Sequence, residues 1–236
     1  MKTSHLFSAT VLLAGPLFAA DPSPKDEVAA AAKKLGEAAS YSWKATTVVP
    51  GGSRFRPGPT EGKTEKDGFT HLTVSMGDNT TMAVMKGDKA VVSNPEGGWQ
   101  SLAELDSAEG PARFRAMTVR AFKAPVTQVA ELAAGARELA KDGDAWAGEL
   151  TEDAAKTLLT FGRRAGGGDA PSVSNAKCAV KIWLKDGALS KYETKVSGKV
   201  TFNGNERDVD RTTTVEIKDV GTTKVEVPEE AKKKLE

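Results

Sequence analysis

Val180-Lys181-Ile182-Trp183-Leu184-Lys185-Asp186-Gly187-Ala188-Leu189-Ser190-Lys191-Tyr192-Glu193 is the stretch whose reading decides the fold. Cys178, Val180, Ile182 and Leu184 recur with period two, the spacing that puts alternate side chains on one face of a strand. Asp186-Gly187 supplies the two residues that tolerate positive φ in a tight turn. The strand therefore folds back on a partner, Leu189 to Phe202, carrying Tyr192, Val196 and Val200. Asn203-Gly204 repeats the signal and sends the chain into a third strand, Arg207 to Val220. Successive strands joined by two-residue turns form antiparallel sheet.

Upstream, the same grammar recurs. Tyr41, Trp43, Ala45, Thr47 and Val49 alternate with Ser42, Lys44 and Thr46. A loop rich in Gly and Pro spans Pro50 to Pro59, and a polar strand is expected over Thr60 to Lys66. Leu72, Val74 and Met76 alternate with His71, Thr73 and Ser75. Gly77-Asp78 and Gly87-Asp88 then turn the chain through strands Thr80 to Met85 and Lys89 to Ser93. Ahead of them, Ser23 caps a helix from about Pro24 to Ala39, with Asp26 at the capping-box position and Val28, Ala31, Ala32 and Leu35 as its apolar stripe.

The middle of the chain reads as helical. Short helical turns are expected over Ser101 to Leu105, a helix over Pro111 to Phe122, and an amphipathic stripe over Val126, Val129, Leu132, Ala133, Ala136 and Leu139. Asp142-Gly143-Asp144 ends that stripe, and Trp146 to Leu150 reads as a strand. Thr151 caps a helix running to Phe161, and Gly166 to Ser174 reads as a flexible loop. Lys224 to Val227 is expected as an edge strand. Pro228 to Leu235 is expected as a charged helix with Glu229/Lys233 and Glu230/Lys234 pairs. Helix, strands, helices, strands is an α+β order: a single domain with one curved antiparallel sheet and helices on its concave face.

The ends of the chain bear on location. Lys2, the apolar run Leu6 to Phe18 and the small residues Ala19-Ala20 ahead of Asp21 have the three parts of an export signal. Cleavage after residue 20 is expected, leaving a mature domain over 21–236. Leu13-Ala14-Gly15 is followed by Pro16 and not by a cysteine, so lipidation at a mature N-terminal cysteine is not expected. The product is expected to be soluble, monomeric, and periplasmic or secreted. With 33 basic and 32 acidic residues and two histidines, a nucleic-acid partner is not expected. Cys178 is the only cysteine, and its place in a period-two strand marks a buried, inert thiol.

The strand order resembles the periplasmic lipoprotein-carrier fold, the LolA/LolB-like family with its LppX-like mycobacterial relatives. The residues that carry the resemblance are Tyr41 to Thr46, the hairpin Val180 to Glu193, and Thr213-Thr214-Val215-Glu216-Ile217-Lys218-Asp219-Val220-Gly221. The resemblance implies an unclosed half-barrel plugged by central helices. It also implies a carrier that binds a lipid or a lipoprotein acyl chain in an apolar cavity. Candidate lining residues are Tyr41, Trp43, Leu72, Val74, Met76, Met82, Val84, Phe114, Met117, Ile182 and Tyr192. The alternative is a non-catalytic envelope interaction or sensor module on the same fold, with a filled core.

Catalysis finds little support. His71 alternates with the apolar residues and so faces away from them. No nucleophile motif, zinc spacing or P-loop accompanies it. Asn203, Asn205, Asp208 and Asp210 do not follow a calcium-loop spacing, and Arg207 and Arg211 stand among them. Neither a metal nor a cofactor is expected, and neither is an enzymatic role. Arg113, Arg115 and Arg120 form a basic cluster that would suit contact with an anionic membrane surface.

Overall fold

Asp186 and Gly187 both have positive φ, 52° and 70°, as do Asn203 and Gly204 at 50° and 75°. Each pair forms the tight turn expected of it. In the computed structural model, which describes residues 22–51, 57–160 and 171–236, these turns join three long strands. These are β9 (Ser172–Lys185), β10 (Ala188–Phe202) and β11 (Asn205–Lys218). Register between β9 and β10 shifts between Leu189 and Lys191. That bulge lets Leu189 and Tyr192, three residues apart, both bury on one face, each 2 % exposed.

Six strands precede them: β1 (Ser40–Val48), β2 (Pro57–Glu65), β3 (Thr70–Met76), β4 (Asn79–Lys86), β5 (Lys89–Ser93) and β6 (Trp99–Ser101). The hairpin β7 (Ala140–Asp142) and β8 (Ala145–Glu149) follows. Together the described residues form one antiparallel sheet of eleven strands, ordered β6-β5-β4-β3-β2-β1-β11-β10-β9-β8-β7. β1 pairs with β11, so the first and last strands of the chain meet at the middle of the sheet. β6 and β7 are consequently its two opposite edges, and the sheet does not close.

The chain must travel from edge β6 to edge β7. It does so through α2 (Gly110–Arg120) and α3 (Pro125–Gly135). Their buried Ala116, Val119, Val129, Leu132 and Ala133 share one core with Tyr41, Trp43, Leu72, Ile182 and Tyr192 of the sheet. α1 (Pro24–Glu37) and α4 (Glu152–Thr160) bury Val28, Leu35, Ala155 and Leu159 in that core. Ser23 caps α1 with the expected reciprocal Asp26 bond. The C-terminal helix α5 (Glu229–Leu235) lies on the other face, where Ala231 and Leu235 pack on Val84, Val91 and Trp99.

Several expected elements differ. Ser101 ends β6, where Gln100 and Ser101 pair with β5, and residues 102–107 form turns rather than a continuous helical segment. Asp142-Gly143-Asp144 is the turn of the β7–β8 hairpin rather than a helix end. Residues 224–227 form no strand: the Val225 N–H donates 2.9 Å to a carboxylate oxygen of Glu65. Residues 172–174 belong to β9, not to a loop. Neither expected pair along α5 forms, and tertiary partners take the side chains of Glu230 and Lys234. Glu230 accepts from the Trp99 N–H at 3.3 Å, and Lys234 pairs with Glu104 at 2.8 Å. The export signal, Phe161 and Gly166 to Gly168 lie outside the described residues.

Trp43 packs closely against its neighbouring strand. Its indole stacks on Phe122 with centroids 5.8 Å apart and lies across Gly62 of β2. A Cβ at Gly62 would sit 2.0 Å from the Trp43 ring. Replacing Gly62 with Val must therefore displace the indole, and overpacking of this kind costs about 1–3 kcal/mol or more. A urea melt is expected to show the midpoint falling with the m-value unchanged.

Candidate functional site

The three longest strands extend further than the helices that roof them. β10 has 15 residues, about 50 Å at strand rise. α4 has nine residues, about 14 Å at helical rise. Two cavities lie where the described helices leave the concave face of β10 and β11.

The first, about 490 Å³, lies between α3, α4 and the two strands. Leu132 of α3, Leu150, Ala154 and Leu158 of α4 and Val196 of β10 give it an apolar wall. Its rim is polar: Lys123 pairs with Glu131 at 2.6 Å, and the Gln128 amide donates to the Lys123 carbonyl at 2.7 Å. Gln128 also accepts from the Tyr192 hydroxyl at 2.8 Å, which ties α3 to the sheet floor. The second cavity, about 720 Å³, continues along the same face, past Leu159, Val200, Val209 and Phe202 to Phe114. Gly198 allows α4 to approach between the two, since a Cβ there would meet Leu159 at 2.7 Å.

Arg211 lines both cavities. It lies opposite Val196 in the β10–β11 register, on the face of Val209 and Val215. One guanidinium N–H donates to the Leu158 carbonyl of α4 at 2.9 Å. Burial lowers its proton affinity, with a smaller opposing contribution from Cys178. Cys178, opposite Val196 on β9, is buried, and that burial pushes its thiol up to about 12. It stays protonated and offers Arg211 no counter-charge.

The expected lining residues divide into four groups. Tyr41, Trp43, Leu72, Ile182 and Tyr192 are on the concave face but fully packed, each at most 5 % exposed, so they form the floor of the core rather than a cavity wall. Val74 is a partly buried neighbour of that core, and Met76 and Met117 are half-buried. Phe114 does line the second cavity, 51 % exposed.

Met82 and Val84 must be corrected. Leu72 pairs with Ala83 and Thr73 with Met82, which places Met82 and Val84 on the convex face. Val84 is buried there beneath α5, and Met82 is 40 % exposed. His71 opposes Val84 on that same face, and its proton affinity is lowered, first by burial and then by Lys63.

The basic cluster is partly engaged by the protein itself. Arg120 pairs with Asp106 and donates to the Leu102 carbonyl at 2.9 Å. The Lys123–Glu131 pair likewise holds its charges within the rim.

Leu158, Val196 and Arg211 were not among the expected site residues, although a signal for Arg211 was present. The two-residue turn at Asn203-Gly204 makes Phe202 oppose Asn205, and counting back places Arg211 opposite Val196 on the apolar face. An arginine at such a position is uncommon in a core strand.

No family model and no curated protein matches this sequence. Among solved structures, the chain is similar to the Mycobacterium tuberculosis lipoprotein LppX. The TM-score is 0.47 at 13% identity, over 88% of this chain and 100% of that one. It is also similar to LprF from Mycobacterium bovis, with a TM-score of 0.43 at 11% identity, over 89% and 99% of the two chains. A third is an outer membrane lipoprotein-sorting protein domain from Vibrio parahaemolyticus, TM-score 0.27 at 9% identity, over 82% and 89%. The likeness is one of overall fold.

The buried thiol gives a direct check on the packing around the first cavity. A maleimide added to the native protein at pH 8 is expected to leave Cys178 unlabelled over hours and to label it promptly in urea. Rapid labelling of the native state would mean that the β9–α4 contact opens readily.

Proposed function

We propose that this protein is an exported, non-enzymatic carrier that holds the acyl chain of a lipid or lipoprotein between α3, α4 and the concave face of β10 and β11. The observation that carries this reading is the 490 Å³ cavity, with its leucine and valine wall and polar rim, continuing into the larger cavity beyond Arg211. Its size falls within the several hundred Å³ typical of ligand sites, and its chemistry suits an apolar chain with a polar end. Apolar surface left open on a sheet face is costly in water, so a guest that covers it is stabilised in return.

Binding rather than catalysis is favoured by the titratable groups. His71 lies on the opposite face of the sheet, and the Cys178 thiol is held protonated. The Leu6 to Phe18 signal supports export, and the mature domain in this reading is 21–236.

Mass spectrometry of organic extracts, from protein purified out of the cell envelope without detergent, is expected to find a stoichiometric lipid. Thr194→Trp and Leu158→Trp, which add bulk inside the first cavity, are expected to weaken binding of a fluorescent fatty acid by about tenfold or more while the proteins remain folded. Folded variants that bind as the unaltered protein does would refute the cavity assignment. A ligand-free protein that refuses fatty acids would favour an interaction or sensor module with the same architecture.

A further inference from the structure

Arg211 presents an unusual charge balance. Its guanidinium lies against Leu158 and Val196 at the junction of the two cavities, and one N–H is held by the Leu158 carbonyl at 2.9 Å. Among the described residues no carboxylate stands within ion-pair distance of it. The nearby acids have other placements: Glu131 pairs with Lys123, and Asp208 lies 3.7 Å from the Lys199 ammonium on the opposite face. Asp208 and Asp210 also line the second cavity, but they alternate with Arg211 along β11, and the alternation directs their side chains to the opposite side of the strand. Cys178 is protonated and supplies no anion.

Arg211 is half-buried; a guanidinium partly withdrawn from water without a counter-charge is costly, and an anionic ligand at such a site would offset that cost. The planar fork has five N–H donors, of which the helix carbonyl uses one. The remaining donors suit two oxygens of a carboxylate or phosphate. Apolar wall extends to both sides of this point, through Leu132 and Leu158 in one direction and Leu159 and Val200 in the other.

We propose that Arg211 anchors the acid group of the bound guest, so that the cavity selects anionic amphiphiles, bearing a carboxylate or a phosphate, over neutral lipids of the same chain length. This rests on the binding reading above. The guanidinium also links α4 to the sheet through Leu158, so an anion that engages the free donors would brace the contact that roofs the first cavity.

The test is calorimetric titration of the delipidated full-length mature protein with hexadecanoate, hexadecyl phosphate, hexadecanol and inorganic phosphate. Hexadecanoate or hexadecyl phosphate is expected to bind about tenfold or more tightly than hexadecanol, the contribution of a charge-assisted contact. The tighter of the two identifies the head group, and inorganic phosphate alone is expected to give no measurable heat. Arg211→Gln should abolish the preference, leaving hexadecanoate and hexadecyl phosphate bound no more tightly than hexadecanol, and Arg211→Lys should restore part of it. Equal affinity for hexadecanoate, hexadecyl phosphate and hexadecanol in the unaltered protein would overturn the proposal while leaving the carrier reading intact. So would a preference that survives in folded Arg211→Gln. Failure of every long-chain probe to bind would overturn both. If Arg211→Gln does not fold, the preference in the unaltered protein and its partial retention in Arg211→Lys still decide the matter.

Discussion

The pairing of β1 with β11 is the constraint on which the rest of the structure depends. Trp43 opposite Ile217 and Ala45 opposite Val215 join the first strand to the last. Once these meet in the middle of the sheet, β6 and β7, consecutive in the chain, must lie at opposite edges. No tight turn spans that distance. The connection crosses one face of the sheet, and its cheapest form in water is an amphipathic pair of helices that satisfies its own backbone while covering apolar surface. α2 and α3 are therefore a consequence of strand order as much as of their own sequence.

Cavity formation follows from a mismatch of lengths. The crossing helices meet the strands near β1, where Trp43, Tyr192 and Leu72 are buried in one core. β9, β10 and β11 continue well beyond them, and α4 covers only part of the extension. Gly198 brings α4 close at one point, while on either side of Leu158 and Leu159 the helix stands away from the strands. A site built this way is preformed by secondary-structure lengths and does not require a strained backbone.

The two faces of the sheet are used differently along its width. Toward β10 and β11 one face is core and cavity while the other carries exposed ion pairs such as Lys199–Glu206. Toward β4 to β6 both faces are covered, by the central helices on one side and by α5 on the other. The α5 tethers run from Lys234 to Glu104, from Glu230 to Trp99, and from Lys89 to the Leu235 carbonyl at 3.1 Å. Glu104 is held well below the usual carboxylate range, at about 2, chiefly by its Lys234 bond and by Ser101. Lys234 of α5 therefore serves docking to the sheet end and not helix-internal pairing.

Local signals sufficed for the longer strands, their tight turns and the cap of α1. Period two and Asp-Gly or Asn-Gly depend only on neighbouring residues and on steric limits to φ. The same rules made the α+β order readable and marked Cys178 as buried. What tertiary structure decided was which face each residue serves. Met82 and Val84 have the same apolar character as Leu72, yet pairing with β3 puts both on the convex face, Val84 beneath α5 and Met82 exposed, because facing depends on register with a partner strand. The bulge after Leu189 is likewise a response to burial on both sides of a turn. Lys224 to Val227 lost its strand to the carboxylate of Glu65, a contact 160 residues away in the chain. The cavity itself was not legible, since an empty volume arises from how far helices and strands extend past one another and no residue type encodes it. Arg211 stands between the two cases: hairpin register alone placed its charge on the apolar face, but only the folded chain showed that no acid waits for it there among the described residues.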